Sequence, residues 1–166
     1  TRSSKARAVI GVYRRSRAEK GLPGTNLDML DAVSSDVRFR VGAGRLALAQ
    51  QPHQPDTYVY LFTYASPARR GALGSCHALE MPFVFGTVGA PAQDRFAGSG
   101  PAVELLSERM MDAWISFART GRPGHEGIGR WDAYTEPARP TMVFDLECGQ
   151  EDDPFGEERQ AVEAVL

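Results

Sequence analysis

The chain has 166 residues, a formal net charge of −2 and 42% hydrophobic residues, a composition typical of a globular protein that buries a core without cross-links. This charge argues against a general nucleic-acid-binding protein, and the longest apolar-rich stretch, residues 58–62, is too short to span a membrane. The two cysteines and three scattered histidines lack the spacing of a zinc site or a disulfide scaffold, so we expect no metal and no cofactor.

The N-terminal region is basic and fits a helix over residues 5–19, with Val9 and Tyr13 on its apolar face. It has no apolar segment or cleavage site of a signal peptide, which slightly favours a cytoplasmic location. We interpret its arginines as a solvated helix face. The alternative is a nucleic-acid-binding arm, but we expect neither nucleic acid nor membrane as a partner. Because the chain does not begin with Met, we expect it to be processed or partial.

A second helix is predicted from Thr25, as the N-cap with Asp28 three residues later, to about Gln50. Glycines in its second half predict close approach of another element, at Gly42 and Gly44. The pattern predicts one buried stripe, formed by Leu30, Val33, Val37, Val41 and Leu48.

Two segments read as strands. Residues 57–64 (TYVYLFTY) are apolar at both odd and even positions, as in a strand buried on both faces at the centre of an α/β sheet. Residues 141–145 (TMVFD) read as a short second strand. Two strands do not make a sheet, so we expect part of the fold to lie outside these residues.

The strongest helical pattern runs from Pro101 to Thr120, with a proline in its first turn and Gly121 closing its end. A long loop over residues 121–140 follows. The last segment, residues 146–166, is acidic and is predicted to contain a short helix over residues 157–166. The apolar stripe of the long helix comprises Val103, Leu106, Met110, Ala113, Trp114 and Phe117.

The residues with the clearest chemical potential lie in residues 71–86 (GALGSCHALEMPFVFG). This segment puts His77 on a Gly-rich loop after a buried strand, where a rigid support favours catalytic placement. Glu80 follows three residues later, within reach if the segment is helical. From spacing alone, a histidine bonded only to a backbone carbonyl remains an open alternative.

This segment resembles the histidine segment of the type-B carboxylesterase family, which includes para-nitrobenzyl esterases and cholinesterases. Two later segments agree in order and spacing, namely residues 110–123 (MMDAWISFARTGRP) and 131–145 (WDAYTEPARPTMVFD). The resemblance covers roughly residues 25–145. In the histidine segment it is carried by Gly74, His77, Glu80, Phe83, Val84, Phe85 and Gly86.

The resemblance implies an α/β-hydrolase fold with a serine, acid and histidine triad in that chain order. His77 would be the general base and acid, and Glu80 would support the site without being the triad acid. No G-x-S-x-G or HGGG-type motif is found in the chain. We therefore expect residues 1–166 to be a single C-terminal fragment of an α/β hydrolase, mostly helical, with about two strands and an incomplete sheet.

The implied function is that of a serine carboxylic-ester hydrolase, with the isolated chain inactive. The expected partners are the N-terminal portion of the same polypeptide and a small-molecule ester. We also expect an apolar face around residues 58–64 and 83–85, through which the chain self-associates. The alternative function is a non-catalytic interaction protein of the same family. We interpret Cys76 as a packing residue, and His53 and His125 as surface residues.

Overall fold

The computed structural model describes residues 2–166, which form two compact units. Unit 1 contains residues 2–52 and 153–166, and unit 2 contains residues 53–152. In chain order the helices and strands are α1 (Arg2–Glu19), α2 (Asn26–Ser35), a π-helical turn (Asp36–Arg40), α3 (Val41–Gln50), β1 (Tyr60–Phe62), α4 (Met81–Val84), α5 (Pro101–Thr120), β2 (Pro140–Phe144), β3 (Gly149–Asp152) and α6 (Gly156–Glu163).

Unit 1 is helical and begins its second helix with the predicted cap. The amide of Asp28 donates to Oγ1 of Thr25 at 3.3 Å, and the amide of Thr25 donates to Oδ2 of Asp28 at 2.8 Å. This reciprocal capping box confirms the predicted helix start. The helix then continues to Gln50, as predicted, but with the π-helical turn in its middle.

The predicted stripe of this helix was wrong at two positions. Leu30 is 61% exposed and Val37 is 44% exposed, whereas Met29 is buried. A π-helical turn holds more residues than an α-helical turn, so the apolar face shifts around the helix axis across it. Close approach at Gly42 is not seen either, because a Cβ atom there would meet nothing within 4 Å.

The core of unit 1 joins α1, the long second helix and α6. Tyr13 is fully buried, and its hydroxyl donates to Oδ2 of Asp36 in the π-helical turn. Arg40 holds the same carboxylate through two hydrogen bonds of 2.6 Å and 2.5 Å. A buried acid is tolerated here because both of its oxygens have partners. The apolar members of this core are Val9, Tyr13, Met29, Val41 and Val162.

Unit 2 contains a three-stranded sheet in the order β1-β2-β3. β1 pairs with β2 in parallel, with Tyr60 opposite Met142, and β2 pairs with β3 antiparallel. The first strand is shorter than the predicted 57–64 and lies at the edge of the sheet among the described residues. β3 was missed because its sequence, GQED, carries no apolar alternation.

Helix α5 has the predicted ends and packs against α4. Its predicted apolar stripe is confirmed at four positions, whereas Phe117 is 48% exposed. Gly121 ends the helix with a φ of 76°, a left-handed conformation that favours glycine. Among the helices of residues 2–166, none has the length and apolarity needed to cross a lipid bilayer. The buried positions of the stripe are Val103, Leu106, Met110 and Ala113.

The short helix α4 corrects another expectation. Phe83, expected on an exposed apolar face, is fully buried in the core of unit 2 and contacts the rings of Phe62 and Tyr64. Phe85 is 66% exposed and Tyr60 is 37% exposed. The exposed apolar surface therefore includes Phe85 but not Phe83.

Candidate active site

His77 lies on the loop that follows β1, and its side chain is exposed. We call residues 65–80 the histidine loop. Its first residues continue from the carboxyl end of β1, and its last residue, Glu80, leads directly into α4. The loop therefore runs from the end of a parallel strand to a helix, and both attach to the core of unit 2.

Two serines fix the backbone of this loop. The amide of Ser66 donates to the carbonyl oxygen of Gly74 at 3.0 Å, which closes the base of the loop three residues before His77. Oγ of Ser75 donates to the carbonyl oxygen of Phe62 at 2.9 Å. The segment just before His77 is thereby hydrogen-bonded both to Ser66 at the start of the loop, which we call the stem together with Pro67, and to Phe62 in β1.

The residues on either side of His77 hold it near the core. Cys76 is half-buried and packs against the core of unit 2, as expected for a packing residue, and Leu79 is fully buried. The amide of Leu79 donates to the carbonyl oxygen of Cys76 at 3.1 Å, so a tight turn encloses the histidine. Ala78 has a φ of 65°. A left-handed backbone at a non-glycine residue is strained, and strain of this kind often accompanies functional sites.

Glu80 is half-buried on the same turn as His77. Its carbonyl oxygen accepts hydrogen bonds of 3.0 Å from the amides of Phe83 and Val84, which starts α4. Burial first and the charge of Glu80 second raise the pKa of Tyr60 in β1. Glu80 thus joins the histidine turn to the start of α4.

Asp145 lies at the sheet edge from which the histidine loop leaves, and the sequence analysis included it only as the last residue of the matched segment 131–145. It follows β2, and its Oδ2 accepts a 2.8 Å hydrogen bond from Oγ1 of Thr63, which follows β1. Burial and the charge of Asp145 raise the pKa of Tyr64. The available signal was the D at the end of TMVFD, because carboxyl ends of parallel strands share one sheet edge.

The other two histidines have different environments. His53 is exposed, as expected, whereas His125, also expected at the surface, is half-buried. Nε2 of His125 lies 2.9 Å from the carbonyl oxygen of Arg109, and the amide of Gly127 donates to Nδ1 at 3.1 Å. These partners require a neutral ring with its hydrogen on Nε2, which is a structural role.

Cys76 and Cys148 are both free thiols. Burial raises the pKa of the Cys148 thiol, and its sulfur donates to the carbonyl oxygen of Asp145 at 3.4 Å. Inert packing fits these thiols better than nucleophilic chemistry, which requires an accessible thiolate.

A parallel strand pair with an exposed histidine loop after the first strand and a helix before the second is characteristic of an α/β hydrolase. The model of the carboxylesterase family matches residues 2–162, so this chain belongs to that family. The match is wider than the range of 25–145 in which the sequence motifs were found.

Individual relatives agree with this family. The chain is 37% identical over 128 residues to the para-nitrobenzyl esterase of Bacillus subtilis strain 168, which covers 77% of this chain and 26% of that protein. It is 34% identical over 107 residues to the phenmedipham hydrolase of Pseudarthrobacter oxydans, covering 61% of this chain and 21% of that protein. The chain therefore spans about a quarter of the length of these relatives.

Solved structures show the same fold. A carboxylesterase of Geobacillus stearothermophilus at pH 6.2 superposes with a TM-score of 0.72 and 36% identity, covering 89% of this chain and 30% of that one. A thermophilic para-nitrobenzyl esterase covers 98% of this chain and 33% of its own length, with a TM-score of 0.69 and 28% identity. These likenesses establish the α/β-hydrolase fold of the chain and its incomplete sheet.

Proposed function

We propose that this chain supplies the general-base histidine, His77, of a serine carboxylic-ester hydrolase. The observation that carries the proposal is an exposed imidazole on an anchored loop after a parallel strand, in a chain of the carboxylesterase family. The nucleophilic serine, the oxyanion donors and the triad acid come from the remaining, upstream portion of the same polypeptide.

In this mechanism His77 takes the proton of the serine hydroxyl as the serine attacks the carbonyl carbon of the ester. The same imidazole then donates that proton to the departing alcohol. A water molecule repeats the cycle on the acyl-enzyme, and His77 again removes and returns the proton. Exposure of the side chain matters because the serine and substrate must both reach the ring.

Glu80 has a supporting role in this proposal. It is half-buried on the same turn as His77, and its charge contributes to the raised pKa of Tyr60. A carboxylate three residues after His77 on this turn adds negative potential around the imidazolium that forms during catalysis. It is not the triad acid, which the family's chain order places before the histidine.

The substrate class is a small carboxylic ester, a proposal supported by the names of the relatives. Para-nitrobenzyl esterase and carboxylesterase describe ester hydrolysis by those proteins. By itself the 166-residue chain is proposed to be inactive, because a lone imidazole without a nucleophile and oxyanion donors gives little catalysis.

A serine-directed phosphonate probe tests the proposal. We expect the probe to label the complete polypeptide and to leave the isolated chain unlabelled. Changing His77 to Ala in the complete polypeptide should slow the labelling, and His53→Ala is the matched control because His53 is also exposed. Labelling of the isolated chain, or equal labelling rates for both variants, would contradict the proposal.

A further inference from the structure

One buried serine connects the stem of the histidine loop to a separate segment of unit 2. Ser66 is 1% exposed, and its amide closes the loop onto Gly74. Its Oγ donates to the carbonyl oxygen of Phe96 at 2.6 Å and accepts from the amide of Ala68 at 3.1 Å. Ser66 thus makes three hydrogen bonds at the position where the loop leaves the sheet.

The segment that receives this bond is itself held tightly against the stem. The hydroxyl of Tyr64 donates to the carbonyl oxygen of Ala97 at 2.9 Å. A Cβ atom on Gly98 would lie 2.8 Å from the ring of Pro67 and 3.1 Å from the Tyr64 hydroxyl oxygen. Residues 96–98 therefore form a close-packed support for the stem, with no room for an added methyl group at Gly98.

We propose that Ser66 is a positioning residue for His77: its hydroxyl ties the start of the histidine loop to Phe96, while its amide closes the same loop onto Gly74 before the imidazole. This inference rests on the proposed catalytic role of His77. A misplacement of about 1 Å at a catalytic group can cost on the order of 100-fold in rate. Loss of the hydroxyl leaves the Phe96 carbonyl without its donor and unties the start of the loop from residues 96–98, although the backbone bond to Gly74 remains.

The test compares three serine variants of the complete esterase, with kcat expressed per site that a phosphonate titrates. Ser66→Ala is expected to lower kcat about tenfold, an intermediate misplacement cost, with KM changed less than about twofold. Ser66→Thr keeps the hydroxyl and is expected to restore kcat to within about threefold of the unaltered enzyme. Ser99→Ala is the control, because Ser99 is an exposed serine in the neighbouring segment.

Each outcome has a defined meaning. A merely structural role for Ser66 would reduce the number of titrated sites but not kcat per site, and that result would overturn the inference. Equal losses in Ser66→Ala and Ser66→Thr would also overturn it, because they would exclude the hydroxyl as the cause. Turnover of the His77→Ala variant is measured in parallel. If it were unaltered, the proposed function itself would be refuted, and this result is distinguishable from the two outcomes for the Ser66 variants.

Amide exchange tests the same geometry without any substitution, should the variants fail to fold. The amides of Ser66 and Ala68 should exchange at least tenfold more slowly than that of Ser75, an exposed residue of the same loop. Equal exchange rates for the three amides would show that the stem is open in solution and would overturn the assignment.

Discussion

Oγ1 of Thr63 donates a 2.8 Å hydrogen bond to Oδ2 of Asp145, which joins the carboxyl ends of the two parallel strands. The amide of Leu146 donates to the other oxygen of the same carboxylate at 2.8 Å. The sheet edge that carries the histidine loop is therefore fixed by a charge-assisted contact between β1 and β2.

Removing this contact should destabilise unit 2. We expect Thr63→Val to lower the free energy of unfolding by about 1.5–3 kcal/mol, because a hydrogen bond to a charged group is lost at nearly constant volume. Urea unfolding measures the change, and Thr87→Val is the control at an exposed threonine. An equal effect of the two substitutions would show that the Thr63 hydroxyl contributes nothing.

Glu158 should make unit 1 sensitive to pH. It is 3% exposed, and its Oε1 has no partner in the described structure. Its pKa is raised, mainly because burial disfavours the charged carboxylate, and the nearby charge of Asp36 adds to this. The Ser16 hydroxyl and the charges of Arg40 and Arg17 lower the pKa but do not cancel the effect of burial.

The sign of the effect follows from proton binding. Between the unfolded pKa near 4.5 and the raised folded value, the folded chain keeps a proton that the unfolded chain has released. The free energy of unfolding therefore falls as pH rises through that window. Glu158→Gln should remove this dependence and stabilise the chain at pH 7, whereas Glu157→Gln, at an exposed position, should retain it. Parallel pH–stability curves for the unaltered chain and Glu158→Gln would contradict this account.

Gly98 should resist substitution more than other left-handed glycines. Its φ is 82°, and an added Cβ would lie 2.8 Å from the Pro67 ring. Gly129 has a φ of 75° but open space around it, so it is the control for backbone strain alone. Thermal unfolding should show Gly98→Ala to be about 1–3 kcal/mol less stable than Gly129→Ala, because overcrowding adds to the strain. Equal losses of stability in the two variants would show that the Pro67 ring moves aside at no energetic cost.

Self-association remains a prediction for the isolated chain. Phe85 is 66% exposed, and we expect concentration-dependent association in sedimentation experiments that Phe85→Ser reduces. Phe39 in unit 1 is 52% exposed and gives a matched control, Phe39→Ser, for general apolar exposure. A monomer at every concentration would contradict the prediction.

Local rules predicted much of this fold. A proline in the first turn and Gly121 after the last fix the ends of α5, and the Thr25–Asp28 pair fixes the start of α2. These signals act over a few residues and need no tertiary information. The family resemblance extended the prediction to the α/β-hydrolase fold, and the family match confirms it.

The differences have tertiary causes. Asp36 is a buried acid that pairs with Tyr13 and Arg40, and a hydrophobicity pattern treats it as surface. The π-helical turn around it therefore could not be foreseen, nor could the shift of the buried face from Leu30 to Met29. Phe83 was expected outside because the motif suggests only an apolar run. Its burial depends on two aromatic neighbours from an earlier part of the chain, Phe62 at the end of β1 and Tyr64 just after it.

The sequence nominates His77 and Glu80 for the candidate site, and their roles stay predictions; it does not nominate the residues that support the histidine loop. Ser66 and Ala78 have no motif of their own in the chain, and Asp145 entered only as the last residue of the matched segment 131–145. Their relevance comes from hydrogen bonds between segments that are 30 residues or more apart for Ser66 and Asp145, and from backbone strain for Ala78.

The central claim is that the imidazole of residue 77 moves the proton in ester hydrolysis. The most direct measurement is kcat for a small ester in the complete polypeptide with His77→Ala, beside His53→Ala and the unaltered enzyme. We predict a fall of roughly 10⁶-fold for His77→Ala, as expected for the loss of a triad histidine, and full activity for His53→Ala. Turnover by the His77 variant at the unaltered rate would contradict the account.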